Sequence, residues 1–290
     1  MRVLMCPWTF PQVKWEINPF MHCNTQPDPE RARLEWIMLM EAYLQLGIEV
    51  HLIPPVRNLH DMVYTANAGW GRKNVFVVSR FRHKERREES LFYHKWLTQH
   101  GFGVLTTSHF FEGQGDLITT NLAYLLGYGA RSEWGVLDEL QNIFHFGKPI
   151  IPLQLIDPAF YHLDTCLFSW KPENLIMYYP DAFTKEGINK LNELPFIKIE
   201  VTREEALSFV CNSVYCGKTA LIGGASQRLL DIFRKQKMRV FEIKNLGELT
   251  SLFEKDGTVH KQLSTVISLP LPTELLKGGG SYRCCSLFLD

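Results

Sequence analysis

Five amphipathic stretches recur along this chain with starts roughly 45–55 residues apart, and that period constrains the fold more than any other feature. Residues 30–46 set Leu34, Ile37, Met38, Met40, Tyr43 and Leu44 into a broad apolar face over charged neighbours, the spacing of an amphipathic helix. Residues 84–100, 132–144, 184–194 and 226–235 repeat the pattern, and a shorter helix is expected at 246–254. Runs rich in β-branched and aromatic residues lie between them, at 49–53, 74–79, 103–107, 149–156, 166–170, 175–179, 196–201 and 239–243. The alternation predicts an α/β protein, and five units predict a closed or quasi-symmetric ring. The same spacing also arises from βαβ units in an ordinary α/β sheet, so the period alone leaves both arrangements open. No long Pro-, Ser- or charge-rich linker divides the chain, which reads as one domain over residues 1–290.

Charge and cysteine usage narrow the function classes. The 31 Lys plus Arg balance 31 Asp plus Glu, which argues against a nucleic-acid binder with its usual basic excess. With 46% hydrophobic residues the chain can bury a large core. No run approaches the apolar length that spans a bilayer. Pro7, Pro11 and Lys14 interrupt the N-terminus, which lacks the apolar core of a signal peptide. Seven cysteines, odd in number and without framework spacing, suit reduced thiols and a cytoplasmic location. Neither CxxC nor HxxxH pairs occur, so a zinc site is not expected.

Four segments put reactive groups into turns or glycine-rich contexts. In DMVYTANAG (61–69) a short strand at 62–64 is expected to enter a polar turn at Thr65 and Asn67; Asn67 either caps that turn or serves as a binding amide. In FFEGQGD (110–116), Glu112 and Asp116 flank two glycines that permit close backbone approach to a bound group, though a plain hairpin turn uses the same residues. In FYHLDTC (160–166), an extended backbone would project His162 and Asp164 from one face, a pairing that suits proton transfer beside a cation; a buried structural histidine is the alternative. In KGGGSYRCCS (277–286) three glycines precede a thiol, and Leu287–Leu289 reads as a strand that ties the end down rather than leaving a loose linker. Carboxylates beside a cysteine oppose its ionisation unless the substrate is itself a cation. A guanidinium resolves that conflict, because two carboxylates can grip its N–H fork while its charge favours the thiolate.

In this order the four segments resemble the guanidino-group modifying enzymes of the pentein superfamily, which include arginine deiminases, dimethylarginine dimethylaminohydrolases and amidinotransferases. The resemblance runs from about Asn18 to Leu289. It implies a five-bladed ββαβ propeller with pseudo-fivefold symmetry and a site in its central channel. It also implies covalent chemistry: a cysteine attacks the guanidino carbon, an amine leaves, and the amidino-enzyme is hydrolysed or passed on, with no metal or organic cofactor. Residue by residue, Cys284 matches the nucleophile, His162 the general acid and base, Glu112 the glutamate of the E-G-G-D motif and Asp164 a guanidinium carboxylate. Cys285 falls one position late. Gln114 is inserted between the glycines, so Asp116 either touches substrate or shapes the turn. Arginine deiminases usually carry an aspartate where this chain has Asn67. Asn67 with Asn18 resembles the arginine dihydrolase branch, which takes arginine through to ornithine, ammonia and carbon dioxide. Arg86, in the basic segment with Arg82 and Arg87, is the candidate for a substrate α-carboxylate.

The expected activity is therefore a cysteine-dependent hydrolase of arginine or a close analogue, of dihydrolase or deiminase type. The alternatives are an amidinotransferase that delivers the amidino group to an amine, or a dimethylarginine dimethylaminohydrolase. A non-catalytic relative, such as the pentein-fold translation factor, is disfavoured by retention of Cys284, His162, Glu112 and Asp164. The expected partner is a small guanidino molecule, with neither nucleic acid nor membrane, and an oligomer is compatible with the sequence.

Overall fold

The computed structural model describes residues 1–256 and 263–290. Five small sheets carry the alternation read from the sequence. In each of three of them an antiparallel hairpin is followed by a helical segment and a strand parallel to the hairpin's second strand. These are Gly69–Arg72, Val75–Val78 and Gly103–Leu105; Leu117–Thr119, Tyr124–Tyr128 and Ile150–Gln154; and Leu167–Trp170, Leu175–Tyr178 and Ile197–Glu200. The fifth sheet adds a strand: Val214–Cys216 pairs antiparallel with Thr219–Gly223, and Thr265–Leu269 inserts between that strand and Arg239–Glu242. The remaining sheet joins the two chain ends. Leu287–Phe288 pairs antiparallel with Arg2–Met5, which runs parallel to Glu49–Leu52.

The helices form where sequence expects them and stop where the backbone is needed elsewhere. Pro29–Gln45 starts on Asp28, whose side chain accepts from the backbone N–H groups of Glu30 and Arg31, with Pro29 at the first helical position. Lys185–Glu193 and Gln227–Lys235 begin on Thr184 and Ser226 in the same way. The helix expected over 84–100 divides into a 3₁₀ turn, Lys84–Arg86, and a helix, Glu89–Gln99, because the Arg86 side chain turns inward to a buried ion pair. The one expected over 132–144 begins only at Val136. Ser132 is instead committed to the interior, where its hydroxyl donates to Asp116 Oδ2 and accepts from the Glu112 backbone N–H.

Five inner turns meet neighbour to neighbour around the centre, at four junctions through hydrogen bonds and at one through packing. Ala66 N–H donates to the Cys284 carbonyl at 2.9 Å. The Asn67 amide packs on Gly115. Asp116 Oδ1 accepts from Leu163 N–H at 3.1 Å, and Asn212 Nδ2 reaches the Asp164 carbonyl at 3.2 Å. Cys284 N–H returns to Asn212 Oδ1 at 3.0 Å, which closes the circuit. The expected five-bladed ββαβ ring is thus the observed architecture, with its inner turns joining the blades at the centre. Among the described residues no helix is long and apolar enough to cross a membrane.

Candidate active site

All eight residues singled out from the sequence lie at or beside these inner turns, but several reach them by a different backbone route. Residues 62–64 are not a strand. His60–Val63 and Thr65–Ala68 are successive 3₁₀ turns, and Met62 and Val63 are both buried, so the side chains do not alternate as a strand requires. Asn67 does not cap its own turn; its Oδ1 accepts from Arg86 Nη1 at 2.9 Å. His162 is extended, but Leu163–Cys166 is a single helical turn that follows it, so the shared-face argument for His162 and Asp164 does not hold. The two residues meet the centre through the bend between them.

A small pocket is lined by Asn18, Asp61, Asn67, Arg86, Arg131 and Cys284, with Tyr64 and Tyr161 as walls. Its positive side was only half legible. Arg86 is buried and spends four of the five guanidinium donors on Glu89 (2.9 and 2.8 Å), Asn67 and the Asp61 carbonyl. It lines the pocket with one Nη1 hydrogen left over, the other four being committed to its anchoring bonds. Arg82 and Arg87 do not line the pocket. Arg131 does: it donates to Glu112 Oε2 at 3.2 Å and to the Ile17 carbonyl at 2.8 Å, and lies 4.8 Å from the Tyr161 ring centroid. Nothing in the local sequence around Arg131 marks it, because its partner Glu112 lies on another turn. Asp61, the first residue of DMVYTANAG, also lines the pocket. It is buried, accepts from Trp15 Nε1 at 2.8 Å, and is pushed upward by that burial against the pull of Arg86 and Trp15.

Behind the pocket Glu112 and His162 form a second unit. His162 Nε2 lies 2.7 Å from Glu112 Oε2. Burial pushes the Glu112 carboxyl up, but Arg131 and His162 more than offset this and hold it well below the usual range. An ionised carboxylate only accepts, so Nε2 carries the proton and Nδ1 is bare. Burial takes His162 down to about 4 despite Glu112, so the ring is neutral near pH 7. Asp116 has both oxygens occupied, by Ser132 and by the Leu163 N–H; it shapes the turn and does not line the pocket.

Asp164 Oδ2 lies 3.9 Å from Cys284 Sγ. On its other side Asp164 borders a separate cavity of about 200 Å³ with Arg283 and Tyr215. Burial raises the Asp164 carboxyl to about 7, with Arg283 opposing. The Cys284 thiol is pushed up by burial and then by Asp164, so the resting group is a thiol. Cys285 does not line the pocket and packs in the core with Tyr43 and Val3. Among the described residues, four buried polar atoms of the inner turns lack a hydrogen-bond partner: Asn67 Nδ2, His162 Nδ1, Asp164 Oδ1 and Ser281 Oγ. Buried polar groups are almost always satisfied, so this concentration suits a polar molecule bound among them. Among the described residues no three His, Cys, Asp or Glu side chains gather into a metal-holding group.

Two glycines permit the packing. A Cβ at Gly115 would fall 2.3 Å from Asn67 Nδ2 and 3.4 Å from the His162 ring. Gly279 has φ +84° and lies against Asn18, whose amide a Cβ would meet at 2.3–2.6 Å.

The family model for eukaryotic N,N-dimethylarginine dimethylhydrolase matches residues 16–288. An N(G),N(G)-dimethylarginine dimethylaminohydrolase of Mycobacterium tuberculosis is 36% identical over 99% of this chain and 85% of its own length. The bifunctional arginine dihydrolase/ornithine cyclodeaminase ArgZ of Synechocystis is 33% identical over 99% of this chain, which spans only 37% of that longer protein. A crystal structure of the N-terminal domain of an ArgZ variant, covalently bound to a reaction intermediate, superposes with TM-score 0.81 at 29% identity, covering 100% of this chain and 97% of that one. The chain belongs to the dimethylarginine dimethylaminohydrolase family of the pentein guanidino-group modifying enzymes, and is a hydrolase of guanidino groups.

Proposed function

We propose that residues 1–290 act as one catalytic unit that hydrolyses free arginine through a covalent amidino-enzyme at Cys284, in the dihydrolase manner. The observation that carries this reading is the pocket lining. A carboxylate, Asp61, and two guanidinium groups, Arg131 and the remaining N–H of Arg86, stand together as the complement of an α-amino and an α-carboxylate group, while Cys284 opens on the same space. Arg131 is the main carboxylate ligand in this reading, with Arg86 holding Asn67 and contributing one donor.

The guanidinium end then meets Asp164, whose unpartnered Oδ1 accepts an N–H. Its positive charge lowers the cost of ionising both Asp164 and Cys284. His162 Nδ1 takes the thiol proton and returns one to the departing ammonia, with Glu112 fixing the tautomer and stabilising the protonated ring. Water then adds to the trigonal carbon and the Cys284 Sγ–C bond breaks, which leaves a ureido group and restores the cysteine. Asn67 Nδ2 and Asn18 supply neutral amide contacts that suit an uncharged ureido group, so a second attack by Cys284 is favoured over release of citrulline. Arginine and two waters become ornithine, two ammonia and carbon dioxide.

Dimethylarginine is the second reading, favoured by the family match and the name of the mycobacterial relative. Purified enzyme should be incubated with arginine or asymmetric dimethylarginine, and citrulline, ornithine, ammonia and dimethylamine quantified separately. Ornithine and ammonia from arginine in a ratio near 1:2 support the dihydrolase. Citrulline as a stable sole product leaves a deiminase, and turnover of dimethylarginine alone selects the second reading. Cys284→Ser should abolish turnover and Cys285→Ser should leave it intact.

A further inference from the structure

A buried asparagine outside every motif read from the sequence grips Cys284 at two points. Asn212 is fully buried. Its Oδ1 accepts the Cys284 backbone N–H at 3.0 Å, and its Nδ2 lies 3.1 Å from Cys284 Sγ and 3.2 Å from the Asp164 carbonyl oxygen. These partners fix which way the amide points. Exchanging the two ends would set oxygen against the Asp164 carbonyl and N–H against the Cys284 N–H. The residue is itself held by its own N–H to the Phe209 carbonyl at 2.9 Å, and its carbonyl accepts from Arg283 N–H at 3.2 Å. One side chain therefore ties the cysteine turn to the turn that bears Asp164.

We propose that Asn212 is a catalytic residue that sets the position of the Cys284 sulfur and donates a hydrogen bond to it as the thiolate forms. This inference rests on the reading of Cys284 as nucleophile given above. The groups facing the sulfur explain why such a donor is needed. Asp164 carries the opposing charge at 3.9 Å. The Arg283 guanidinium is spent on the Ser286 carbonyl and on Gln114. The Tyr64 and Tyr161 hydroxyls donate to the carbonyls of Leu275 and Gly279, and Cys285 is a buried thiol. The Asn212 amide is thus a neutral dipole aimed at sulfur, and its bond strengthens when the acceptor becomes an anion. The Ser281 backbone, Asn212 and, after them, the field of Arg283 act to lower the Cys284 thiol against its burial, and of these side chains Asn212 is the one that bonds the sulfur.

The test compares the parent enzyme with Asn212→Ser and Asn212→Asp. Asn212→Asp keeps the acceptor for the Cys284 N–H but replaces the donor to sulfur. The pH dependence of iodoacetamide alkylation is followed on the Cys284 peptide by mass spectrometry. Steady-state kinetics are normalised to folded, titratable sites. The alkylation midpoint should rise by about one pH unit or more, and kcat should fall about 100-fold with KM for arginine within about threefold. A purely structural asparagine would lower thermal stability while leaving both the midpoint and the normalised kcat unchanged, and that result overturns the inference. If neither variant folds, the parent decides. With ¹⁵N-labelled asparagine side chains, an amide other than those of Asn18 and Asn67 must shift when Cys284 is alkylated, and no such shift rejects the role. Full turnover by Cys284→Ser would instead overturn the nucleophile reading itself, separately from Asn212.

Discussion

Arg86 Nη1 donates to Asn67 Oδ1 at 2.9 Å, and that single bond decides which end of the amide stays available. The Nδ2 hydrogens remain without a partner, so the position presents a donor where an aspartate would present two acceptors. A donor opposes a guanidinium N–H and suits a ureido or tetrahedral oxygen. Asn67→Asp should therefore hold the cationic substrate better and the neutral intermediate worse. The expected outcome is a citrulline-to-ornithine ratio at least about tenfold higher than that of the parent, in line with about 1.4 kcal/mol or more of differential binding. Product analysis by amino-acid chromatography checks it, and an unchanged ratio removes Asn67 from the choice of product.

Arg131 serves Glu112 and the pocket at once. Replacing it by methionine should raise KM for arginine by roughly 10–100-fold, the scale of one charge-assisted hydrogen bond. It should also alter the pH profile with a definite sign. Burial raises the Glu112 carboxyl, while Arg131 and then His162 depress it. Without the guanidinium both the Glu112 carboxyl and the His162 ring, which Arg131 also holds down from its place at about 4, move up, so the acid limb of kcat/KM should shift to higher pH in Arg131→Met. Initial rates from pH 4 to 9 measure this directly, and a KM effect with an unmoved acid limb would show that Arg131 does not tune the Glu112–His162 unit.

Gly115 tests how tightly the inner turns are packed. Its missing side chain leaves room for the Asn67 amide, which a Cβ would meet at 2.3 Å. Gly115→Ala should cost about 1–3 kcal/mol in stability through overpacking, with loss of most activity. The same substitution beside Asn67→Ser should cost less, because the clashing amide is gone. A double-mutant cycle in urea should give a coupling energy of about 1 kcal/mol. Strict additivity would mean that the contact relaxes elsewhere.

The sequence carried the blades better than the turns between them. Helix and strand periods come from apolar faces that each blade buries, so Pro29–Gln45, Lys185–Glu193 and Gln227–Lys235 were read almost to their ends. The inner turns obey no such period. Residues 60–68 and 162–166 are set by bonds to other blades, such as Thr65 Oγ1 to the Leu4 carbonyl and the Leu163 N–H to Asp116, so neither the strand expected at 62–64 nor an extended backbone through His162 and Asp164 forms. In the charged run nothing singles out the Arg86–Glu89 pair, three residues apart, because the two form an ion pair that is buried only in the fold. Arg131 and Asn212 have no local signature at all; their partners lie 19 and 72 residues away. The motifs located the chemistry, and tertiary pairing chose which charges face it.

Asp164 is the last case, and there the demands of binding and stability oppose each other. Burial raises its carboxyl from the ordinary 3.8 to about 7. A raised acid in the native state destabilises the fold wherever it must be ionised. Above pH 7 the group is charged in both folded and unfolded chains, and the folded one bears the desolvation cost in full. Between about 7 and 4 the native protein binds a proton that the unfolded chain does not, so this cost fades as pH falls. Below about 4 both states are neutral and nothing remains. Asp164→Asn should thus be more stable than the parent at pH 8, by up to about 4 kcal/mol, and lose that advantage progressively toward pH 4. The same variant should show no turnover at any pH, since Asp164 is the proposed guanidinium ligand. Melting temperatures of both proteins across pH 4–8 decide the matter. A variant less stable than the parent at pH 8 would mean that the bonds of Asp164 within the ring outweigh its burial.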